Sequence, residues 1–213
     1  MYKGFFKRFL DVWVATLGLI ASSPLLLLTI LVLYLSNKGS GIFFVQERPG
    51  LNGQIFKLLK FKTMTDERDG FGNLLPDKDR FTRIGSIIRA ASIDELPQLI
   101  NVILGEMSLI GPRPLMPHLL PLYTPEQARR HEVRPGITGW AQVHGRSKMK
   151  FSKKFEYDVY YVDNISIWLD VRIFFKTIKN VFLRENVGRG AEEMNDVDDL
   201  GFAKRLEKIS DSI

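Results

Sequence analysis

Cysteine is absent from the 213-residue sequence. Its absence excludes disulfides, thiolate metal sites and a cysteine nucleophile, although it constrains the redox compartment only weakly. The sequence also lacks a P-loop, a G-x-S-x-G elbow and a zinc signature. His118, His131 and His144 do not have the spacing of metal ligands. The chain therefore carries none of the short motifs that identify a thiol enzyme, a P-loop NTPase or a zinc protein.

A basic excess marks the composition, with a formal net charge of +6. Such a charge favours an anionic partner, which can be a phosphate ester, a membrane surface or nucleic acid. No nucleic-acid-binding module is recognisable, so we expect no nucleic acid partner. The length suits one domain or one domain with an appendage, and an apolar content of 45% is enough for a core.

An uncharged apolar segment runs from Val12 to Ser36. A bilayer span needs about 20 apolar residues, whereas the apolar core of a cleaved signal peptide has only about 7–15. The segment therefore predicts insertion into a membrane. Pro24 lies in its middle and should kink the helix, because proline lacks a backbone donor and clashes with the preceding turn. The hydroxyl groups of Ser22 and Ser23 can bond to carbonyl groups that the kink frees.

Two arrangements of this segment are open: a kinked helix that crosses the bilayer, and a re-entrant hairpin that enters and leaves through the same face. Each arm of a hairpin would be about 18 Å long, against a hydrocarbon thickness of about 30 Å. Basic residues tend to stay in the cytoplasm, and both flanks of the segment are basic. A hairpin satisfies this charge pattern, but the residues alone leave both arrangements open.

The remainder of the chain is globular in composition. "GIFFVQERPG" and "QIFKLLKFKTM" predict two strands, the first of which ends in a turn at Pro49 and Gly50. "FTRIGSIIRAAS" predicts a short helix, and the periodic apolar residues between Leu96 and Leu104 predict another. A region rich in Pro, Gly and Arg follows, with one short helix at about residues 125–131. This region is typical of functional loops.

An amphipathic segment lies near the C-terminus. In "ISIWLDVRIFFKTIKNVFLRE", apolar residues share one helical face, and Arg172, Lys176 and Lys179 share the opposite face. The pattern is typical of a helix that lies on a membrane surface, and a helix that packs on a protein core is the alternative. The tail from Gly188 is acidic and then mixed in charge, so we expect it to be partly flexible.

Two adjacent carboxylates, Asp94 and Glu95, have two interpretations. Ser92 and Glu95 match a capping box, in which Asp94 would favour the positive end of the helix. Alternatively, the pair is a nucleophile with a helper. Proline is tolerated only in the first helical turn, and Pro97 would lie one position too deep if Ser92 were the N-cap. The helix should therefore begin nearer Asp94 or be distorted, which weakens the capping interpretation and leaves it open.

Five blocks of the sequence, in order, resemble a known family. They are "FKRFLDVWVATLGLIASSPLLLL", "FVQERPGLNGQIFKLLKFKTM", "RAASIDELPQLINVILGEMSLIGPRPL", "RPGITGWAQVHGR" and "KKFEYDVYYVDNISIWLD". Together they resemble the bacterial monotopic phosphoglycosyl transferases, in particular the short PglC-like form. The resemblance covers about residues 2–185, which is nearly the whole domain.

The resemblance implies a reaction. A sugar 1-phosphate is transferred from a UDP-sugar, usually with an N-acetylated hexose, to a polyprenyl phosphate such as undecaprenyl phosphate. UMP leaves and a polyprenyl diphosphosugar remains in the membrane, which is the first membrane step of glycoconjugate synthesis. The implied location is the cytoplasmic face of the bacterial inner membrane. The bilayer and other enzymes of the glycan pathway are implied as further partners.

The resemblance also assigns residues. The family's Asp-Glu pair maps onto Asp94 and Glu95, and its aspartate is thought to form a covalent phosphosugar-enzyme with Mg²⁺ required. Asp94 and Glu95 are therefore also the predicted metal ligands. The family's membrane helix is re-entrant and broken at a Ser-Pro, which maps onto Ser23 and Pro24 and favours the hairpin. The predicted fold is an α/β, mostly α, membrane-associated domain, with the hairpin at residues 1–36, the catalytic domain at 37–187 and a tail at 188–213.

The proposed chemistry needs cations. A carboxylate that attacks a diphosphate meets charge repulsion, so positive groups must bind the non-reacting oxygens. Arg89 and Arg113 are the arginines nearest in sequence to the carboxylate pair, and we expect them to neutralise phosphate oxygens. Arg134 and Lys62 are further candidates for the same task.

The two carboxylates should have unequal roles. Adjacent helical residues point about 100° apart, so Asp94 and Glu95 cannot clamp one atom in parallel. We assign Asp94 as the nucleophile. Glu95 would assist the metal or manage a proton on the incoming polyprenyl phosphate.

Two other functions are compatible with the same residues. A membrane-bound hydrolase of nucleotide diphosphosugars would use the same carboxylates with water as the acceptor. A non-catalytic membrane adaptor would use Ser92 and Glu95 only as a helix cap. Release of sugar phosphate without polyprenyl phosphate would favour the hydrolase, and loss of stability without loss of chemistry would favour the adaptor.

Overall fold

The computed structural model describes residues 2–37, 39–145, 149–182 and 197–210. Helices dominate these ranges and the strands form two small sheets, so the mostly helical fold class is confirmed. The α-helices are α1 (Lys7–Ser36), α2 (Asp77–Arg80), α3 (Arg83–Ala90), α4 (Gln98–Leu104), α5 (Pro125–Ala128), α6 (Trp140–Gly145), α7 (Phe151–Asp163), α8 (Ile167–Phe182) and α9 (Phe202–Ser210). The strands are β1 (Phe43–Pro49), β2 (Ile55–Phe61), β3 (Ser108–Ile110) and β4 (Gly136–Thr138).

The long apolar helix expected from the sequence is α1, and a π-helical turn at Tyr2–Phe6 leads into it. In the described part of the chain, Tyr2–Ser36 is the one helix long and apolar enough to cross a membrane. Its apolar side chains are largely exposed, with Trp13 at 56% and Leu27 at 66%. A helix in the core of a soluble protein would bury these side chains.

The helix continues through Pro24 as α-helix. Pro24 has no N–H to donate to the carbonyl of Ile20, four residues earlier. The hydroxyl of Ser23 donates to that carbonyl at 2.7 Å, and the hydroxyl of Ser22 donates to the carbonyl of Leu19 at 3.4 Å. The expectation that a serine hydroxyl bonds to a freed carbonyl is therefore confirmed for Ser23, whereas the carbonyl that Ser22 contacts is not the one that Pro24 frees.

Both halves of α1 pack on the same globular body. In the first half, Ala15 is fully buried in a cluster that includes Val102 of α4. In the second half, Leu33 is fully buried in a cluster that includes Ile88 of α3. Arg8 also donates to the carbonyl of Val102 at 2.6 Å, near the end of α4. The domain therefore holds α1 on both sides of its proline.

A buried polar network ties the start of α1 to α8. The carboxylate of Asp170 accepts hydrogen bonds from the hydroxyl of Tyr2 at 2.6 Å, the ammonium of Lys7 at 2.7 Å and the hydroxyl of Tyr161 at 2.8 Å. A buried carboxylate is tolerated when it is paired and hydrogen-bonded in this way. The network fixes the direction in which the N-terminal segment leaves the domain.

The hairpin of β1 and β2 forms one wall of the candidate site. Its strands pair antiparallel, with Phe43 opposite Phe61. α4 docks on the free edge of β2 through Asn101, whose amide donates to the carbonyl of Lys57 at 2.8 Å. The side-chain oxygen of Asn101 accepts the N–H of Leu59 at 3.0 Å. These two bonds set the position of α4, and of the turn before it, against β2.

The second sheet brings two glycine-rich loops together. β3 and β4 pair in parallel, with Ser108 opposite Gly136. A Cβ atom on Gly136 would lie 2.1 Å from the backbone nitrogen of Gly111, so only glycine fits this approach. Arg113 follows directly on this contact, and its guanidinium donates to the carbonyl of Ile137 at 3.5 Å. The sheet thereby fixes the loop that carries Arg113.

The amphipathic helix α8 combines features of a helix that packs on a protein core and of a helix that lies on a membrane surface. Leu169 and Ile173 are buried in a core cluster with Tyr161. The outer side of the helix is apolar and exposed, with Trp168 at 80% and Phe175 at 64%. The exposed apolar residues are Ile167, Trp168, Val171, Phe174, Phe175, Ile178 and Val181. α8 therefore packs on the core and still presents an apolar outer face.

Part of the tail folds back on the domain. Phe202 at the start of α9 is fully buried, and its ring lies 5.5 Å from that of Phe151 and 6.0 Å from that of Phe155. Val197 and Phe202 supply apolar anchors within a charged sequence. The partial flexibility expected of the tail stays a prediction. Residues 188–196 and 211–213 lie outside the described residues.

Candidate active site

A distorted turn before α4 presents the two carboxylates. Ser92 adopts a left-handed conformation with φ 57° and ψ 21°, and Ile93–Glu95 form a 3₁₀ turn. Pro97 is the N-cap of α4, as expected for a helix that begins late. Within the described chain the hydroxyl of Ser92 makes no capping hydrogen bond, so the capping-box interpretation is wrong. A left-handed serine is strained, and such strain is concentrated at functional sites.

Glu95 is held by two cations. Its Oε1 lies 3.0 Å from Nζ of Lys60, and its Oε2 accepts from Nη1 of Arg113 at 3.2 Å. Nη2 of Arg113 completes a bidentate pair through Oε1. Burial opposes ionisation, but the charges of Arg113 and Lys60 outweigh it and hold the pKa of Glu95 well below its usual range. Glu95 is therefore a fixed anion and a poor proton acceptor.

Asp94 has the opposite environment. It is 8% exposed, and within the described residues no group forms a hydrogen bond with its carboxylate. Burial, followed by the charge of Glu95, raises the pKa of Asp94 to about 6, although Lys60, Arg89 and Arg113 oppose this shift. A carboxylate that is desolvated and unpaired, yet ionised near neutral pH, is suited to nucleophilic attack. The unequal environments match the unequal roles expected from the sequence.

The cations predicted from the sequence divide into two groups. Arg113 contacts Glu95 directly, and the charge of Arg89 acts on Asp94 while its guanidinium lies 5.1 Å from the ring centre of Phe81. Arg134 and Lys62 make their contacts elsewhere in the fold. The structure thus brings two of the four predicted cations to the carboxylate pair.

Arg134 donates from Nε to the carbonyl of Gly105 at 2.8 Å, beyond the end of α4 that is remote from Asp94. Its charge there stabilises the negative end of the helix. Lys62 pairs with Asp66 on the surface. The ammonium group that reaches Glu95 instead belongs to Lys60, two residues earlier.

Three further residues belong to the site and were not among the site residues predicted from the sequence: Arg48, Lys60 and Gln98. Lys60 shares one face of β2 with the buried residue Leu58, and that alternation was the available signal. Lys60 and Arg113 also line a small recess beside the carboxylates. The recess is lined by Arg48, Leu58, Lys60, Gln98, Arg113 and Pro114. Nothing local in the sequence brings Arg48 and Gln98 together.

Asp94 and Glu95 are the donors that the site offers to a magnesium ion. The described residues contain no group of three or more His, Cys, Asp or Glu side chains that could hold a metal alone. Mg²⁺ usually takes one or two carboxylates together with substrate phosphates and water. Asp94 offers a carboxylate with no competing hydrogen bond, whereas Glu95 is already neutralised by Lys60 and Arg113.

Comparisons with known proteins are consistent across the chain. The profile of the family described as bacterial sugar transferase matches residues 2–184. An uncharacterized sugar transferase of Bacillus subtilis, EpsL, is 55% identical over 181 residues, which cover 85% of this chain and 89% of that protein. A UDP-glucose:undecaprenyl-phosphate glucose-1-phosphate transferase of Caulobacter vibrioides is 40% identical over 190 residues, which cover 84% of this chain and 71% of that protein.

A third relative is a longer protein with a different sugar in its name. The UDP-N-acetylgalactosamine-undecaprenyl-phosphate N-acetylgalactosaminephosphotransferase of Aeromonas hydrophila is 42% identical over 185 residues. The matched region covers 83% of this chain and 44% of that protein. All of the residues placed in the site above, from Arg48 to Arg113, lie within the segment that matches the family profile.

Proposed function

Since the chain belongs to the bacterial sugar transferase family, we propose that it transfers a sugar 1-phosphate from a UDP-sugar to a polyprenyl phosphate and releases UMP. The names of two relatives specify undecaprenyl phosphate as acceptor. The proposed donor carries an N-acetylated hexose. The observation that carries the proposal is the buried, unpaired carboxylate of Asp94 beside cations that a phosphate can bind.

The first step forms a covalent intermediate. A carboxylate oxygen of Asp94 bonds to the β-phosphorus of the UDP-sugar, and the bond from that phosphorus to the bridging oxygen breaks. UMP departs with the electron pair, and the sugar phosphate remains on Asp94. Burial that raises the pKa of Asp94 to about 6 also removes the water that would weaken the nucleophile.

In the second step the acceptor phosphate attacks the phosphorus and Asp94 is the leaving group. A phosphate oxygen of the polyprenyl phosphate bonds to the same phosphorus, and the electron pair of the breaking bond returns to the carboxylate of Asp94. A phosphate monoester has a second pKa of about 6, so the acceptor is largely a dianion near neutral pH. The step therefore needs no general base.

Glu95 acts as a positioning residue in this scheme. Its fixed negative charge gathers Lys60 and Arg113 at one point, from which both cations can also reach phosphate oxygens. Preorganised cations stabilise the transition state because they need no reorganisation when charge develops. The lowered pKa of Glu95 disfavours a role in carrying a proton.

Mg²⁺ is the proposed cofactor, and Asp94 and Glu95 are the carboxylates that would hold it. When bound, the ion would neutralise the diphosphate and the departing UMP. The pairing of Glu95 with two cations favours Asp94 as the main protein ligand before attack.

The structure shows α1 as one continuous helix through Pro24, so the break expected at Ser23 and Pro24 is not confirmed. The proposed membrane arrangement is still re-entrant, with the helix bent at Ser23 and Pro24 in the bilayer and the domain on the cytoplasmic face of the bacterial inner membrane. Contacts of both halves of α1 with one domain support it, because a spanning helix would carry its two ends to opposite faces. The exposed outer face of α8 supplies further apolar surface. This arrangement places a site for cytoplasmic UDP-sugars at the level of the lipid phosphate.

A donor screen tests the proposal. Purified protein in detergent is incubated with UDP-glucose, UDP-N-acetylglucosamine or UDP-N-acetylgalactosamine and undecaprenyl phosphate, and UMP is measured. Sustained UMP release that requires the lipid supports the transferase, and faster release with the N-acetylated donors supports the donor class. Sugar phosphate released into solution at the same rate without lipid would instead identify a hydrolase.

A further inference from the structure

The recess beside the carboxylates contains buried donors with no acceptor. Gln98 is 1% exposed, and its Nε2 has no hydrogen-bond partner among the described residues. The Nε of Arg48 is likewise buried and unpartnered in the described structure. Buried donors are rarely left unpaired in native proteins, so two of them in one recess indicate that an acceptor binds there. Both side chains line the same recess, which points to a ligand that presents only acceptors.

The remaining lining is also cationic. Lys60 and Arg113 contribute an ammonium and a guanidinium group, and Leu58 and Pro114 contribute apolar surface. The two terminal nitrogens of the Arg48 guanidinium are already bonded. Nη2 donates to Gln46 at 2.7 Å, and Nη1 donates to the carbonyl of Pro114 at 3.3 Å. These two bonds hold the guanidinium in place and leave its buried Nε without a partner among the described residues.

The proposed reaction requires one position to be used twice. Attack and departure at phosphorus are roughly in line, so the UMP phosphate leaves on the side opposite Asp94. In the second displacement the polyprenyl phosphate must enter from that same side. The oxygen that leaves and the oxygen that enters both belong to a phosphate monoester, and a single subsite can hold either one.

We propose that Arg48 and Gln98, with Lys60 and Arg113, form this shared subsite for a phosphate monoester, which holds the UMP phosphate in the first step and the lipid phosphate in the second. The proposal rests on the function proposed above. It assigns roles to two residues outside the carboxylate pair. It also gives a structural reason for UMP to leave before the lipid phosphate enters.

Equilibrium binding tests the subsite without any knowledge of the donor sugar. The full-length protein in detergent micelles is titrated with UMP and, separately, with undecaprenyl phosphate, each with and without inorganic phosphate. For the unmodified protein, inorganic phosphate is expected to displace both ligands, and each ligand is expected to displace the other. Binding of UMP and the lipid at the same time, each unaffected by the other, would overturn the shared subsite.

Two variants assign the residues. Gln98→Glu keeps the shape of the side chain and places an anion in the recess, and Arg48→Met removes its cation. Both are expected to weaken the binding of UMP and of the lipid about tenfold or more. Lys153→Met is the matched control, since it removes an exposed charge that pairs with Glu156, and it should bind both ligands normally. Unchanged binding in both recess variants, or weakening for one ligand only, would overturn the proposal.

Failure of this proposal can be distinguished from failure of the proposed function. An enzyme that makes no lipid product with any UDP-sugar, yet shows mutual displacement of UMP and lipid, retains the subsite without the reaction. An enzyme that makes product while UMP and lipid bind independently retains the reaction without the shared subsite. Thermal unfolding of Gln98→Glu and Arg48→Met identifies any variant that fails to fold, and the competition experiment on the unmodified protein is independent of both.

Discussion

Lys60 and Glu95, which are 35 residues apart in the sequence, form an ion pair with 3.0 Å between Nζ and Oε1. Arg113 binds the same carboxylate from the loop after β3. The contacts join β2, the turn before α4 and the second sheet at one point. Asp94 lies next to this point with no hydrogen bond from the described residues. The two neighbouring carboxylates therefore differ in pairing, in pKa and in expected role.

Removal of the charge on Glu95 should impair both halves of the reaction. In Glu95→Gln, Lys60 and Arg113 lose the anion that gathers them, so we expect both UMP release and transfer to lipid to slow about 10²-fold. Stopped-flow or quench measurements of each half-reaction check this. If Glu95 served only as a base for the acceptor, the first half-reaction would keep its normal rate.

Two lysines of the same segment provide a matched pair. Lys60→Met removes an ammonium that contacts Glu95, whereas Lys62→Met removes one that pairs with Asp66 on the surface. We expect the first substitution to reduce kcat about 10²-fold and the second to change it about twofold or less. Steady-state kinetics on both variants measure the difference. An equal loss in the two variants would contradict the placement of Lys60 in the site.

The rate of the first half-reaction should depend on the ionisation of Asp94. Burial raises its pKa to about 6, so the rate should rise with pH through this value and then level off. In Glu95→Gln the inflection should move to lower pH, because the neighbouring negative charge that raises the pKa is removed. A pH profile of the adduct-forming rate checks both statements, and an inflection that stays in place would contradict the assignment.

Asp94 should also reduce the stability of the fold at neutral pH. Its folded pKa of about 6 exceeds the ordinary value of 3.8, so the unfolded state releases the proton first and stability falls as pH rises between these values. The penalty is at most about 3 kcal/mol and is complete above the folded pKa. Asp94→Asn should therefore be more stable than the unmodified protein at neutral pH and should lose that advantage near pH 4. Denaturant unfolding at the two pH values measures the difference, and an advantage that was the same at both would contradict it.

The docking of α4 on β2 depends on one amide. Asn101→Ala would leave the N–H of Leu59 and the carbonyl of Lys57 without their side-chain partner, which costs about 1–3 kcal/mol for each buried group that stays unsatisfied. Activity should fall as well, since α4 and β2 position Asp94 and Lys60. Unfolding midpoints and kcat measure the two effects, and Asn180→Ala, which removes a long bond of 3.4 Å, is the control.

The sequence predicts the elements whose causes are local. The apolar run predicts α1, strand-like runs and the turn at Pro49 and Gly50 predict β1 and β2, and Pro97 predicts the late start of α4. Each of these patterns depends only on residues that are close together in the sequence. The place of Arg134 in the fold could not be predicted, for the opposite reason, and its role toward phosphate stays a prediction. It lies 21 residues after Arg113, and its position at the far end of α4 depends on the path of the segment between them.

The residues missed from the sequence depend on contacts between distant segments. Lys60 and Lys62 look equivalent in a basic strand, and only the pairing of β2 with α4 decides which one reaches Glu95. Arg48 and Gln98 meet through the packing of β1 and α4 at the recess. Phe202 is an isolated aromatic residue in a charged tail, and its burial depends on the cluster formed by α7. Alternation places Lys60 and Lys62 on the same face of the predicted strand, so a short window of sequence does not distinguish them, and it carries no signal for the contacts of Arg48, Gln98 and Phe202.

Labelling tests the re-entrant arrangement of α1 on a clean background, because the sequence contains no cysteine. Single cysteines are placed at Lys3 and Ser40, on either side of the helix, and at exposed Lys153 on the domain. In sealed membrane vesicles all three should react with an impermeant thiol reagent from the same side. Reaction of Lys3→Cys and Ser40→Cys from opposite sides would show that the helix crosses the bilayer.

The covalent adduct on Asp94 is the most direct test of the account. The full-length protein is incubated with the UDP-sugar that the donor screen identifies, without lipid, and its intact mass and peptides are measured. We expect a mass increase of one sugar phosphate on the peptide that contains Asp94, no adduct in Asp94→Asn, and loss of the adduct when undecaprenyl phosphate is added. Normal transfer to the lipid by Asp94→Asn, or an adduct on another residue, would contradict the role of Asp94 as nucleophile.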